Sequence, residues 1–263
     1  MLEAALFGAL AQAALLVGAL LVWKFPQLKK PVIVGALMAF GAGAVISAVA
    51  IDLVAVSYDE AGELPTAIGI AIGCVVYFLI IRFLERRGED EQPGEAIEAE
   101  IAAGIGHGGA EVQGATKKEA RNLTVGMVID GVPESIAVGL TLHTATMGVS
   151  AALVGSIFIA AIPEAIGIAA ALLAGGIALG SVLLRFSIIV VIGAVFAAVG
   201  YSLLYGASDS TQAIIQSIAA GALLVVVINE MVPIAVRAIK GWAGVIASAG
   251  FVFSAALTWA SGG

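Results

Sequence analysis

Polar residues are sparse in this chain and fall in clusters. Between the clusters lie apolar runs long enough to cross a bilayer, which takes about 20 residues of helix. Eight runs are expected to be transmembrane helices: 2–23, 32–57, 64–84, 121–143, 148–173, 177–205, 211–236 and 242–261. Their apolar residues are continuous and do not alternate, which is the pattern of helix and not of barrel strands. The expected fold class is therefore all-α, a polytopic membrane helix bundle with eight transmembrane helices in one transmembrane domain spanning 1–263. The first run opens Met1-Leu2-Glu3 with no basic residue before it, so it reads as a retained span and not as a cleaved signal peptide. One connector is long: residues 85–119, rich in Glu, Gly and Ala, are expected to form a mobile cytoplasmic loop.

Composition agrees with the pattern. Hydrophobic residues make up 61% of the 263, charged residues 12%, and the mean hydropathy is +1.10. A soluble domain averages about 25% charged residues, and one water-soluble core has no room for this much apolar surface. A soluble enzyme and a disordered chain are excluded. A net charge of −7 speaks against a nucleic-acid partner, which needs a basic patch. The single cysteine, Cys74, excludes an internal disulfide framework. Glycine at 33 residues with only 6% aromatics points to close helix–helix packing, because small residues let backbones approach in lipid.

Charge then sets orientation. Of the twelve Lys and Arg, eleven fall on one side of an eight-span chain: Lys24, Lys29 and Lys30; Arg82, Arg86, Arg87, Lys117, Lys118 and Arg121; Arg237 and Lys240. The connectors on the other side carry none, as in Asp59-Glu60-Ala61-Gly62-Glu63. Positive residues stay cytoplasmic, so both termini are expected outside, in a multi-pass protein of a prokaryotic cytoplasmic membrane.

The twelfth cation, Arg185, lies about 13 Å into span six at 1.5 Å per residue. A charge at that depth costs at least ~2.5 kcal/mol and calls for a partner. Asp130 and Glu134 share a face of span four, and Glu164 lies at similar depth in span five. Asp52 in span two, with Asn229 and Glu230 in span seven, are candidates for an additional metal or ion path. One acid neutralises Arg185; the excess carboxylates must take up protons or a cation. Intramembrane acids mark such paths more often than pure structure.

Glu134 follows Pro133 and Glu164 follows Pro163. Each proline removes one helical bond, freeing the carbonyls of Ile129 and Ile159. Freed groups in lipid are tolerated only where protein, water or an ion serves them. Pro133-Glu134-Ser135-Ile136 and Pro163-Glu164-Ala165-Ile166 form a weak repeat on oppositely directed spans, as paired broken helices do in some transporters. Pro233, near the end of span seven, reads as a helix stop. His107 in its glycine-rich linker reads as solvated. His143 reads as a surface-loop residue over a ligand at the outer mouth.

These residues resemble the ZIP (Zrt-, Irt-like) family of divalent-metal transporters over most of the chain. The tandem Pro-Glu pairs are the specific part, joined by Phe40-Gly41-Ala42-Gly43 in span two and Asn229-Glu230-Met231-Val232-Pro233 in span seven. Where the family reads His-Asn-x-Pro-Glu-Gly in span four, this chain has Asp130-Gly131-Val132-Pro133-Glu134-Ser135, and Ala160 and Ala161 stand where span five often has a polar pair. The resemblance implies alternating-access transport of a divalent metal cation of the Zn, Fe or Mn class, with the metal as substrate and no cofactor. It implies a metal site of Asp130, Glu134 and Glu164, with Arg185 as the charge partner in place of a second metal, in a homodimer within the lipid bilayer. An all-carboxylate set suits Mn²⁺, Fe²⁺ or Mg²⁺ relatively better than a set with imidazole. The alternative is a divergent ZIP-like protein that has lost transport, its Arg–carboxylate cluster serving a structural or proton-relay role. An enzyme is not expected. No H-E-x-x-H pair and no G-x-x-x-x-G-K loop occurs in the sequence.

Overall fold

A backbone in hydrocarbon has no water to serve its N–H and C=O groups, so a spanning segment closes them within itself as helix. The computed structural model describes residues 1–88, 127–128, 131–132, 134–140, 142, 147–174, 176–203 and 208–260, and these contain helices and turns but no strand. The helices are α1 (Leu2–Gln12), α2 (Ala14–Lys24), α3 (Pro31–Ala48), α4 (Val56–Ala61), α5 (Glu63–Gly88), α6 (Met147–Ala174), α7 (Leu179–Leu203), α8 (Asp209–Val226), α9 (Val232–Ile239) and α10 (Trp242–Ala260). Residues 134–140 are helical as well.

Six helical stretches among the described residues are long and apolar enough to cross a membrane: Leu2–Lys24, Pro31–Ala61, Glu63–Ile80, Leu179–Ser202, Ser210–Ile239 and Trp242–Ala260. They correspond to six of the eight expected spans. Of the other two, 148–173 coincides with α6, and 121–143 is described in part, at 127–128, 131–132, 134–140 and 142, all of them helical. α5, the helix of the third span, continues to Gly88, so 85–88 are helix and not the start of the expected loop; the remainder of that loop, 89–119, lies outside the described residues. The outward faces are apolar: Val75, Phe78, Leu79, Leu184, Val191 and Val252 are all exposed. A soluble monomer rarely shows an apolar patch beyond a few hundred Å². The protein is a membrane-embedded helical bundle.

Packing follows the small residues. α10 runs along α3, and a Cβ at Gly43 would strike the Ala247 carbonyl while one at Gly250 would strike that of Phe40. α8 runs along α5, with Gly73 against the Ile218 carbonyl and Gly221 against that of Ile70. α1 packs on α7 through Gly8 and Ala197, and α2 packs on α6 through Gly18 and Ala165. α3 also packs on α6 and joins the two sets of helices. Turns carry their own chemistry. Gly62 sits at φ 85 between α4 and α5, a left-handed position that costs glycine nothing. Ser208 caps α8, its Oγ accepting from the Thr211 N–H at 3.3 Å.

Three spans are less regular than their hydropathy predicts. Span one is interrupted at Ala13, where the Leu16 N–H reaches the Ala13 carbonyl at 3.1 Å in a tightened turn. Span two widens into a π-helix at Val49–Ala55, and span seven does so at Val227–Met231. The second case has a cause in sequence. Pro233 lies at the start of α9 and has no N–H for the Asn229 carbonyl, and the Val232 N–H bonds the Val227 carbonyl five residues back. Pro233 is therefore not the expected helix stop: the wider turn absorbs the proline and the helix runs on to Ile239.

Candidate functional site

Glu134 stands at the meeting of three helical segments. Its own segment, 134–140, packs on α7: a Cβ at Gly139 would strike the Ala197 carbonyl, and one at Gly200 would lie 2.6 Å from the Ile136 carbonyl. α1 packs on α7 beside it. The carboxylate is half-buried. Its partner from α1 is Gln12, whose Nε2 donates to Glu134 Oε2 at 3.3 Å and to the Gly131 carbonyl at 3.5 Å.

Gln12 is 2% exposed, and two glycines make room for it. A Cβ at Gly131 would lie 3.1 Å from its Nε2, and a Cβ at Gly193 of α7 would lie 2.6 Å from its Cγ. The same point above Gly193 is 3.0 Å from Ser135 Oγ. That hydroxyl is fully buried and has no hydrogen-bond partner among the described residues. The sequence reading missed Gln12. Its signal was present, since Gln12 and Glu3 are the polar side chains of the first apolar run.

Of the three acids expected to bind metal, Glu134 is the one whose side chain is described. Asp130 lies outside the described residues. Glu164 lies on α6, which stays helical through Pro163, and its neighbour Ala165 abuts Gly18 of α2. Gly18 is six residues from Gln12, roughly 9 Å along the span at 1.5 Å per residue. Span one thus touches the segment of Glu134 at one level and the backbone around Glu164 at the next. Arg185 is half-buried on α7, eight residues before Gly193, about 12 Å along the axis. No three His, Cys, Asp or Glu side chains come together among the described residues. His107 and His143 lie outside the described residues.

The other candidates sit in the two π-helices. Asp52 is 1% exposed in the first. Thr258 Oγ1 of α10 reaches Asp52 Oδ2 at 3.5 Å and the Ser254 carbonyl at 3.4 Å, and its single proton serves one at a time. Asp52 Oδ1 has no partner among the described residues, and neither do Ser47 Oγ and Ser57 Oγ, one on either side along the span. An unserved buried oxygen costs about 1–3 kcal/mol, so this strip favours a cation or water. Asn229 is exposed on the second π-helix, next to Glu230. Asp52 is tied to α10 through Thr258, and Glu134 to α1 through Gln12. No protein-family model matches the chain, and no curated protein matches it.

Proposed function

We propose that this protein carries a divalent metal cation of the Zn, Fe or Mn class across the membrane by alternating access. The carrying observation is the polar cluster of buried Gln12 and Ser135 with half-buried Glu134, set among apolar helices. Polar groups at such depth are costly and mark ion paths. In this reading the bundle has eight spans with both termini outside, Asp130, Glu134 and Glu164 hold the cation, and Arg185 takes the charge position of a second metal. The ZIP-like Pro-Glu pairs supply the class of substrate. The π-helices at Asp52 and at Asn229-Glu230 supply an outer and an inner polar step, since π turns gather at functional sites. The protein acts as a transporter and not an enzyme, as a homodimer in a cytoplasmic membrane.

A second reading has its own support. The Gln12 amide gives Glu134 a partner that is not a metal, as a structural descendant of a transporter would need. Cells separate the two. Expression of the chain is expected to raise cellular Zn, Fe or Mn above that of cells expressing Glu134→Ala at equal membrane levels. Equal metal in both would leave the structural reading.

A further inference from the structure

The Gln12 carboxamide faces two oxygens, the Gly131 carbonyl and Glu134 Oε2. The carbonyl only accepts hydrogen bonds, as does an ionised carboxylate, so it is the amide nitrogen that turns towards them. The NH₂ therefore occupies a position where a cation would find a backbone oxygen and a carboxylate oxygen together. Its two contacts, at 3.5 and 3.3 Å, are longer than the 2.7–3.2 Å of a good N–H···O bond. Neither contact is a short hydrogen bond. Ser135 Oγ, buried and without a partner among the described residues, borders the stem of Gln12 at Gly193.

We propose that Gln12 is a placeholder for the cation and then one of its ligands. With no cation bound, the NH₂ bridges Gly131 and Glu134. When the cation arrives, the carboxamide turns over and offers Oε1, and Ser135 Oγ completes a set made only of oxygen. With glycine at 131 and 193, no Cβ stands against the carboxamide or its stem. An all-oxygen set selects hard cations, Mn²⁺ over Cd²⁺. This inference rests on the reading of Glu134 as a cation ligand.

The test is equilibrium binding to the purified full chain in detergent, alongside uptake into liposomes. Free Mn²⁺ is read by its electron paramagnetic resonance signal, and Cd²⁺ is read by competition. Gln12→Met keeps an unbranched side chain in the channel between the glycines and replaces a hard donor with a soft one. It is expected to raise the Mn²⁺ dissociation constant about tenfold while leaving that of Cd²⁺ within about twofold. Gln12→Glu guards against simple misfolding, because a charged oxygen donor is expected to tighten Mn²⁺ binding about tenfold and a packing defect cannot. Equal loss of both ions in Gln12→Met, or weaker Mn²⁺ binding in a folded Gln12→Glu, overturns the inference and leaves the transport reading standing. Binding with the expected shifts but no uptake by the wild type overturns transport and leaves the inference standing. Wild type that binds Cd²⁺ but not Mn²⁺ overturns the inference, and wild type that binds neither overturns both.

Discussion

Single residues decide how close these helices come. A Cβ at Gly250 would meet backbone, which cannot move aside as a flexible side chain can, while nothing lies within 4 Å of one at Gly244 on the same helix. Gly250→Ala is expected to lose about 1–3 kcal/mol and Gly244→Ala to lose nothing, since overpacking costs that much and alanine favours helix. Thermal melts in one detergent check the difference; equal melting temperatures would remove the role of close packing. Asp52 gives a second residue-scale expectation. Asp52→Asn keeps the shape and an oxygen for Thr258 but drops the charge. It is expected to reduce uptake several-fold without changing the order of preferred ions, because its partner is Thr258 of α10 and not the Gln12–Glu134 pair. An altered ion order, measured by competition uptake, would put Asp52 in the selecting site. At this scale the acids and prolines were legible because any polar residue stands out in an apolar run. Gln12 stood out equally, but an uncharged amide calls only for hydrogen-bond partners and not for a counter-charge, so the sequence does not name what it faces. Its neighbours Gly131 and Gly193 gain meaning only once the helices are packed.

Hydropathy locates a span at the scale of elements and says little about its winding. Val49–Ala55 and Ala48 before it are apolar apart from Asp52, so the sequence has no polar–apolar rhythm in which an extra residue per turn would show. The same uniformity hid the break at Ala13. The π-helix at Val227–Met231 had a visible cause in Pro233, whose meaning changed from terminator to widening point. Pro233→Ala restores the missing N–H. It is expected to stabilise the protein by up to about 3 kcal/mol, the cost of a proline inside a helix, and to lower uptake by drawing the π turn at Val227–Met231 back into ordinary α-helix. A higher melting temperature with unchanged uptake would make that π-helix structural. Backbone strain of another kind appears at Lys240, which holds φ 52 at the end of α9 where glycine is preferred. Its N–H bonds the Val236 carbonyl at 2.8 Å, which closes the helix there.

The whole molecule shows why membrane character was the most legible feature. Length, composition and uninterrupted apolar runs all report the same solvent, and six helical stretches among the described residues answer to them directly. Orientation rests on the distribution of Lys and Arg. In a Cys74→Ser background, Asp59→Cys is expected to react with a membrane-impermeant maleimide in intact cells and Lys30→Cys only after lysis; the reverse would invert the topology. Substrate is the least legible property, because selectivity depends on oxygen positions set by tertiary packing. The most direct measurement is uptake by purified protein in liposomes of Zn²⁺, Fe²⁺, Mn²⁺, Mg²⁺ and Cd²⁺, read by elemental mass spectrometry, against a Glu134→Ala/Glu164→Ala variant. The expected result is saturable uptake of at least one divalent cation that vanishes in the variant. Folded wild type in sealed vesicles that moves none of the five, or a variant that moves them equally well, would contradict transport through the buried carboxylates.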